Sequence, residues 1–137
     1  MSTETITKQI VRRLAEASGK PDEIAAVLAE DVTWWITPAI PSQIMRHESH
    51  GREEVLGNMR RVFGVLYDAS TARAEVHDVI GEGDLAAVRF TLTAQFTRGG
   101  EYRNDYTVWA RVRDGLVTHV WEFTDLAHAQ AQARIHE

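Results

Sequence analysis

The chain has 137 residues, a formal charge of −5 at neutral pH and no cysteine. Its length suits a single domain, residues 1–137, whose core is large enough to need no disulfide or structural metal. The lack of cysteine excludes disulfide scaffolds, thiolate zinc sites and thiol nucleophiles, and an acidic chain without a basic stripe argues against nucleic acid as a partner.

The N-terminal residues are polar and lack the apolar region of a secretory signal. No segment approaches the roughly 20 apolar residues of a membrane span. We therefore expect no membrane partner and a cytoplasmic location.

The first residues predict two short helices in succession. The apolar spacing from Ile6 to Leu14 is helical, and Gly19 is placed to end that helix. Pro21 suits the first turn of a second helix. The buried stripe of this second helix would be Ile24, Val27 and Leu28.

A strand and an irregular segment come next. Residues 31–36, rich in β-branched and aromatic side chains, predict a short strand that Pro38 stops, with Val32, Trp34 and Ile36 on one face. Residues 37–50 contain two prolines and are long enough to form a lid over a cavity. The apolar members of this segment, Ile40, Ile44 and Met45, need a surface on which to pack.

A third helix is predicted from Gly51 to about Tyr67, followed by strands at 71–80 and 85–97. The inward positions of the helix would be Val55, Leu56, Met59, Val62, Phe63 and Leu66. The second of these strands alternates apolar and polar residues, which is typical of a half-buried antiparallel strand.

Residues 101–125 predict a β-hairpin that turns at Asp114-Gly115. Alternation gives one face to Asn104, Tyr106, Val108, Ala110 and Val112 on the first strand, and to Val120, Glu122 and Thr124 on the second. Polar groups among apolar neighbours on one face are typical of a sheet that lines a ligand pocket.

Asp125 can cap a final alanine-rich helix. The element order of helices, one strand, a helix, four strands and a helix predicts an α+β domain. In it, one strongly curved antiparallel sheet would wrap around three to four helices.

Three sequence pieces together resemble the nuclear transport factor 2-like superfamily, and in particular its SnoaL-like branch. They are LAEDVTWW after the helical hairpin, GREEV at the start of the third helix, and VRDGLVTHVWEFTD at the closing hairpin. The resemblance implies a cone-shaped fold around one apolar pocket, and often a homodimer through the convex sheet face. It does not imply one activity, because members include isomerases, cyclases, epoxide hydrolases, dehydratases and non-catalytic modules.

The resemblance allows two catalytic patterns to be tested. The positions that carry the acids and the tyrosine of steroid isomerases fall near Ile36, Arg12 and Val108, so those groups are missing here. The acid on the last strand of the epoxide hydrolases falls at Glu122, but the partner arginine and second aspartate have no secure counterparts.

Glu122 is the first candidate for a working group. If it faces the pocket, burial should raise its pKa, and the carboxylate could orient a water molecule or remove a proton. The alternative is an exposed glutamate paired with Arg111 or Arg113.

Tyr106 and Asn104 could hydrogen-bond both Glu122 and a ligand; the alternatives are core packing for Tyr106 and a frayed strand start for Asn104. Trp34 would line the cavity or serve as ordinary core. The remaining predicted lining residues are Ile36, Val108, Val120, Met59 and Phe63.

His47 and His50 flank Glu48, but a His-x-x-His pair without a third ligand on a loop favours solvated histidines, so we predict no metal. His50 could overhang the pocket and act as an acid or base. No glycine pattern supports a nucleotide, and no cofactor is expected.

Trp109, Trp121 and Phe123 would lie with Trp35 on the outer face of the sheet. Exposed aromatics in such a run favour a homodimer interface over a second ligand site.

The leading hypothesis is a cofactor-independent isomerase, cyclase or hydrolase that binds an apolar, cyclic metabolite and uses Glu122, Tyr106, Asn104 and His50. The alternatives are a non-catalytic binding module and a structural or assembly module of the same fold.

Overall fold

A computed structural model describes residues 1–37 and 47–135, with side chains in the last helix described to Ala133. Six strands in this part of the chain form one sheet in the order β2-β1-β6-β5-β4-β3. The strands are β1 Leu28–Ile36, β2 Glu48–His50, β3 Tyr67–Glu82, β4 Leu85–Phe96, β5 Glu101–Arg113 and β6 Leu116–Thr124. The helices are α1 Thr3–Glu16, α2 Pro21–Ala25, α3 Arg52–Arg61 and α4 Leu126–Ile135, and a π-helix spans Val62–Leu66.

The predicted α+β fold is confirmed, with one correction to the sheet. Its neighbouring strands are antiparallel except β1 and β6, which pair in parallel, so the sheet is mixed. The helices cover one face of it, and the core lies between them and the sheet.

Helix α1 begins at a side-chain cap that was not predicted from the sequence, and it packs on the long strands. The Ser2 hydroxyl accepts a hydrogen bond from the Thr5 amide at 3.1 Å, which satisfies one free donor of the first turn. Ile10, Val11 and Leu14 are buried, whereas Ile6 is 37% exposed.

The second helix is shorter than predicted, because strand pairing takes over its C-terminal half. It ends at Ala25, and Leu28 already belongs to β1. The Val27 carbonyl accepts a hydrogen bond from the Val117 amide at 2.8 Å, and Leu28 pairs with Val117. Val27 and Leu28 are buried as predicted, but as part of the sheet edge and not of a helical stripe.

A short strand lies inside the segment predicted to be irregular. Glu48–His50 pairs antiparallel with β1, so that Ser49 stands opposite Trp34. Residues 38–46 of the predicted lid, with Ile40, Ile44 and Met45, lie outside the described residues, and the lid stays a prediction.

The third helix changes form before its predicted end. After Arg61 the chain forms a π-helix, and the Tyr67 amide donates to the Val62 carbonyl five residues earlier. Tyr67 itself already opens β3. Single π-turns are frequent at functional sites, and Val62 and Phe63 in this one line the cavity described below.

The closing hairpin forms as predicted. Asp114 and Gly115 both have positive φ, 52° and 79°, as a two-residue turn between right-twisted strands requires. Register places Val108 opposite Glu122 and Trp109 opposite Trp121. The first pair therefore lies on the helix-covered face and the second on the outer face of the sheet.

Candidate functional site

A cavity of about 100 Å³ lies between the inner face of the sheet and the helices. Most of its wall is apolar, with contributions from α1, α2, α3, the π-helix and α4 as well as from the strands. Of the predicted lining residues, the structure places Trp34, Ile36, Met59, Phe63, Tyr106, Val108 and Glu122 in this wall.

Glu122 stands on β6 between Ile36 of β1 and Val108 of β5, with its side chain in the cavity wall. Its Oε1 accepts a hydrogen bond from Nε1 of Trp34 at 3.1 Å. Burial raises the pKa of Glu122 from 4.5 to about 7, although the bond from Trp34 opposes the rise by stabilising the carboxylate. A carboxyl group with this pKa can give and take a proton near neutral pH.

The alternative partners of Glu122 are engaged elsewhere or directed away. Nη1 of Arg111 lies 2.6 Å from Oδ1 of Asp84 on the outer face. Arg113 is exposed, and the alternation of β5 directs its side chain to the outer face of the sheet. Neither arginine faces the cavity.

Three tyrosines share the cavity wall with the carboxyl group. Tyr67, Tyr102 and Tyr106 all line the cavity, and the hydroxyls of Tyr102 and Tyr106 are 2.5 Å apart. Burial raises the pKa of each phenol, and the charge of Glu122 raises it further. All three phenols therefore stay neutral at physiological pH and can act as hydrogen-bond donors.

Asn104 has the predicted inward parity but does not line the cavity. Its Nδ2 donates to the Asp125 carbonyl at 2.9 Å, and its Oδ1 accepts from the Asp105 amide at 2.9 Å. This position corrects the prediction that Asn104 lines the cavity. Asn104 lies on β5 just beyond the last residue of β6, and its side chain instead holds the backbone at the start of α4.

His50 is not at the cavity, which corrects its predicted position. Its side chain is 63% exposed, and Nε2 lies 3.3 Å from Oε1 of Glu48. The short strand β2 alternates, so when Ser49 points inward His50 must point outward. Ser49 is buried and lines the cavity instead.

Val120 also falls outside the cavity wall. It is 1% exposed and belongs to the solid core, two residues before Glu122 on the same face of β6.

Sequence reasoning missed the cavity residues Ser49, Asn58, Tyr67 and Tyr102. Tyr102 shares the parity of Tyr106, and Asn58 follows Val55 by three residues on the inner side of α3, so both carried a detectable signal. Nη2 of Arg61 reaches Oδ1 of Asn58 at 3.4 Å.

The described residues, 1–37 and 47–135, contain no group of three potential metal-ligating side chains. No helix among them has the length and apolar character to cross a membrane.

The outer face of the sheet carries the aromatic patch, which we define as Trp35, Trp109, Trp121 and Phe123. Trp109 is 38% and Phe123 is 42% exposed. The ring centroids of Trp35 and Phe123 are 5.2 Å apart. A shallow groove in this face is lined by Leu85, Trp109, Arg111, Trp121 and Phe123.

Solved structures share this architecture. A protein assigned as a ketosteroid isomerase from Kribbella flavida is 27% identical, with 91% of this chain and 82% of that chain covered and a TM-score of 0.68. An NTF2-like protein of unknown function from Burkholderia pseudomallei is 22% identical, with coverage of 97% and 98% and a TM-score of 0.77. A hypothetical protein of ketosteroid isomerase-like fold from Catenulispora acidiphila, solved in complex with trimethylamine, is 19% identical, with coverage of 92% and 92% and a TM-score of 0.74.

A search among proteins with curated functions found no match. The model of the SnoaL-like domain matches residues 9–120, which is most of the chain. Together with the nuclear transport factor 2-like cone seen in the structure, this match shows that the chain belongs to the SnoaL-like domain family.

Proposed function

We propose that this protein binds a small organic ligand with an apolar, cyclic body in the cavity, and that Glu122 carries out acid-base chemistry on it without a cofactor. The observation that carries the proposal is a carboxyl group inside an apolar cavity whose pKa is raised to about 7 by burial. Groups tuned in this way are enriched at catalytic sites.

The neighbours of Glu122 support a proton-transfer role. Trp34 fixes one carboxylate oxygen through a hydrogen bond of 3.1 Å, which leaves the other oxygen free to accept or return a proton. The phenols of Tyr102 and Tyr106 lie in the same wall and could donate hydrogen bonds to an oxygen on which negative charge develops. The reaction class that fits these parts is an isomerisation, cyclisation or hydrolysis.

Turnover by the Glu122→Gln variant tests this role. A panel of apolar ring compounds is first screened by thermal shift, since a saturating ligand stabilises the native state by mass action. Each binder is then incubated with the protein and followed by mass spectrometry. We expect Glu122→Gln to bind but to lose at least about a hundredfold in rate, the usual contribution of a general acid or base. Glu101→Gln, a change at an exposed glutamate of β5, is the matched control and should keep full activity.

Full turnover by Glu122→Gln would remove the acid-base role. Binding without any product would favour the second candidate, a non-catalytic module that senses or carries its ligand. The size of the cavity and its apolar wall favour that candidate as much as the first, so only product formation separates the two.

We further propose that the aromatic patch forms a homodimer interface. Trp109 and Trp121 pair across β5 and β6. A two-fold axis that passes through this pair would bring the aromatic patches of two subunits into contact with each other. Light scattering of the wild type should give twice the mass of a chain of 15.4 kDa, and Trp109→Lys should give a monomer. A monomeric wild type that binds a different protein would favour the remaining alternative, a structural or assembly module.

A further inference from the structure

The charge inside the cavity is unbalanced. Among the described residues that line it, Glu122 is the one carboxylate, and none is lysine, arginine or histidine. The Trp34 indole donates to the Glu122 carboxyl, and the phenols of Tyr67, Tyr102 and Tyr106 lie in the same wall, where the charge of Glu122 raises their pKa. None of these groups is cationic.

Two arginines, Arg60 and Arg61, adjoin wall residues of α3 and the π-helix in sequence, but neither lines the cavity. Both are exposed, and Nη2 of Arg61 donates to the amide oxygen of the wall residue Asn58 at 3.4 Å. The pKa of Glu122 is raised by burial and lowered by the bond from Trp34, and no cation among the described side chains contributes to it. An ionised Glu122 therefore has no counter-ion within the described protein.

Aromatic rings make up much of the remaining wall. Six of them line the cavity: Trp34, Phe63, Tyr67, Phe90, Tyr102 and Tyr106. Some pack against one another, with Phe90 stacked on Tyr106 at 5.3 Å and Tyr67 tilted against Tyr102 at 4.7 Å. The faces of aromatic rings attract cations, and cages of such rings recognise ammonium groups.

From these features we infer that the cavity binds an organic cation, a protonated or quaternary ammonium group on an apolar body, with the ammonium group held between Glu122 and the surrounding rings. The inference rests on the proposed function, in which the cavity is the ligand site, and adds the chemical class of the ligand. An ammonium ligand supplies the missing counter-ion, and its alkyl groups suit the apolar wall.

An isosteric pair of ligands tests the inference. Choline carries a trimethylammonium group, and 3,3-dimethylbutan-1-ol has the same shape with a neutral carbon in place of the nitrogen. Isothermal titration calorimetry at pH 8 should show choline binding at least about tenfold tighter than the alcohol, because only the cation gains from the carboxylate and the ring faces.

The pH dependence separates Glu122 from the net charge of the chain. Choline keeps its charge at every pH, so its affinity follows the ionisation of Glu122 and should fall by about tenfold per pH unit below pH 7. Binding of the alcohol should not weaken over the same range. Glu122→Gln should abolish the preference for choline, whereas Glu101→Gln, which lowers the net negative charge equally, should keep it.

Equal or tighter binding of the neutral alcohol overturns the inference and leaves the cavity as a site for neutral ligands. If neither compound binds while neutral ring compounds do, the inference fails and the proposed function stands. If no compound of any class binds, both fail. If Glu122→Gln does not fold, the pH profile of the wild type decides, and a choline affinity that is flat from pH 5 to pH 8 refutes the role of Glu122.

Discussion

Replacing Glu122 with glutamine removes the ionisable group but keeps its size and its ability to accept the hydrogen bond from Trp34. The native state holds the Glu122 proton with a pKa of about 7, against 4.5 for a solvated glutamate. Because the native state binds this proton more tightly than the unfolded state, the wild type loses stability as the pH rises from 4.5 to 7.

The size of the loss follows from the difference between the two pKa values. A difference of about 2.5 pKa units corresponds to about 3 kcal/mol, which is fully lost above pH 7 and fully present below pH 4.5. The glutamine variant lacks this term. We therefore expect the two proteins to have similar free energies of unfolding at pH 4, and the variant to be about 3 kcal/mol more stable than the wild type at pH 8.

Urea unfolding at a series of pH values measures this difference, because the other carboxylates titrate alike in both proteins and cancel. Glu101→Gln serves as the exposed control and should follow the wild type at every pH. A difference between Glu122→Gln and the wild type that stays constant from pH 4 to pH 8 would mean that the Glu122 carboxyl group is solvated, which would refute the placement of this group in a desolvated cavity.

Two further substitutions test the surroundings of the site and the packing of the fold. Trp34→Phe removes the hydrogen-bond donor to Glu122, so the pKa of Glu122 should rise further and the native state should lose about 2 kcal/mol above pH 7. An unchanged titration of the Glu122 carboxyl group in this variant would contradict the hydrogen bond. Gly19→Ala should cost at least about 2 kcal/mol in urea unfolding, because Gly19 has φ of +80° and a new Cβ would lie 2.6 Å from that of Ala72. Gly83→Ala, with φ of +60° and open space around it, is the control and should cost about 1 kcal/mol; equal losses in the two variants would show that packing at Gly19 is loose.

Alternation along the strands made the inner face of the hairpin predictable from sequence. Side chains on a strand repeat with a period of two, so the Asp114-Gly115 turn fixes which residues of β5 and β6 share a face. The structure places Tyr106, Val108 and Glu122 on one face on that basis.

Alternation identifies the inward-facing residues of a strand, but it does not tell which of them reach the cavity. Asn104 and Val120 have the same inward parity as Tyr106 and Glu122, but one lies under the start of α4 and the other in the solid core. These levels depend on where the helices cross the sheet, and the local sequence of a strand carries no signal for that crossing.

The errors at β1 and β2 have a related cause. Leu28 suits a helix locally, but pairing with Val117, which lies far away in the sequence, draws it into a strand. Glu48–His50 is too short to show a period, so the inward position of Ser49 and the outward position of His50 could not be read before the register with β1 was known.

The function proposed for this protein depends on the burial of the Glu122 carboxyl group in the wall of an apolar cavity. The most direct test is a pH titration of the side-chain carboxyl carbon of Glu122 by NMR in protein labelled with ¹³C at glutamate. We expect a midpoint near pH 7, as burial in the cavity wall requires. A midpoint between pH 4 and pH 5 would show a solvated carboxylate and refute the burial of Glu122 in the cavity wall.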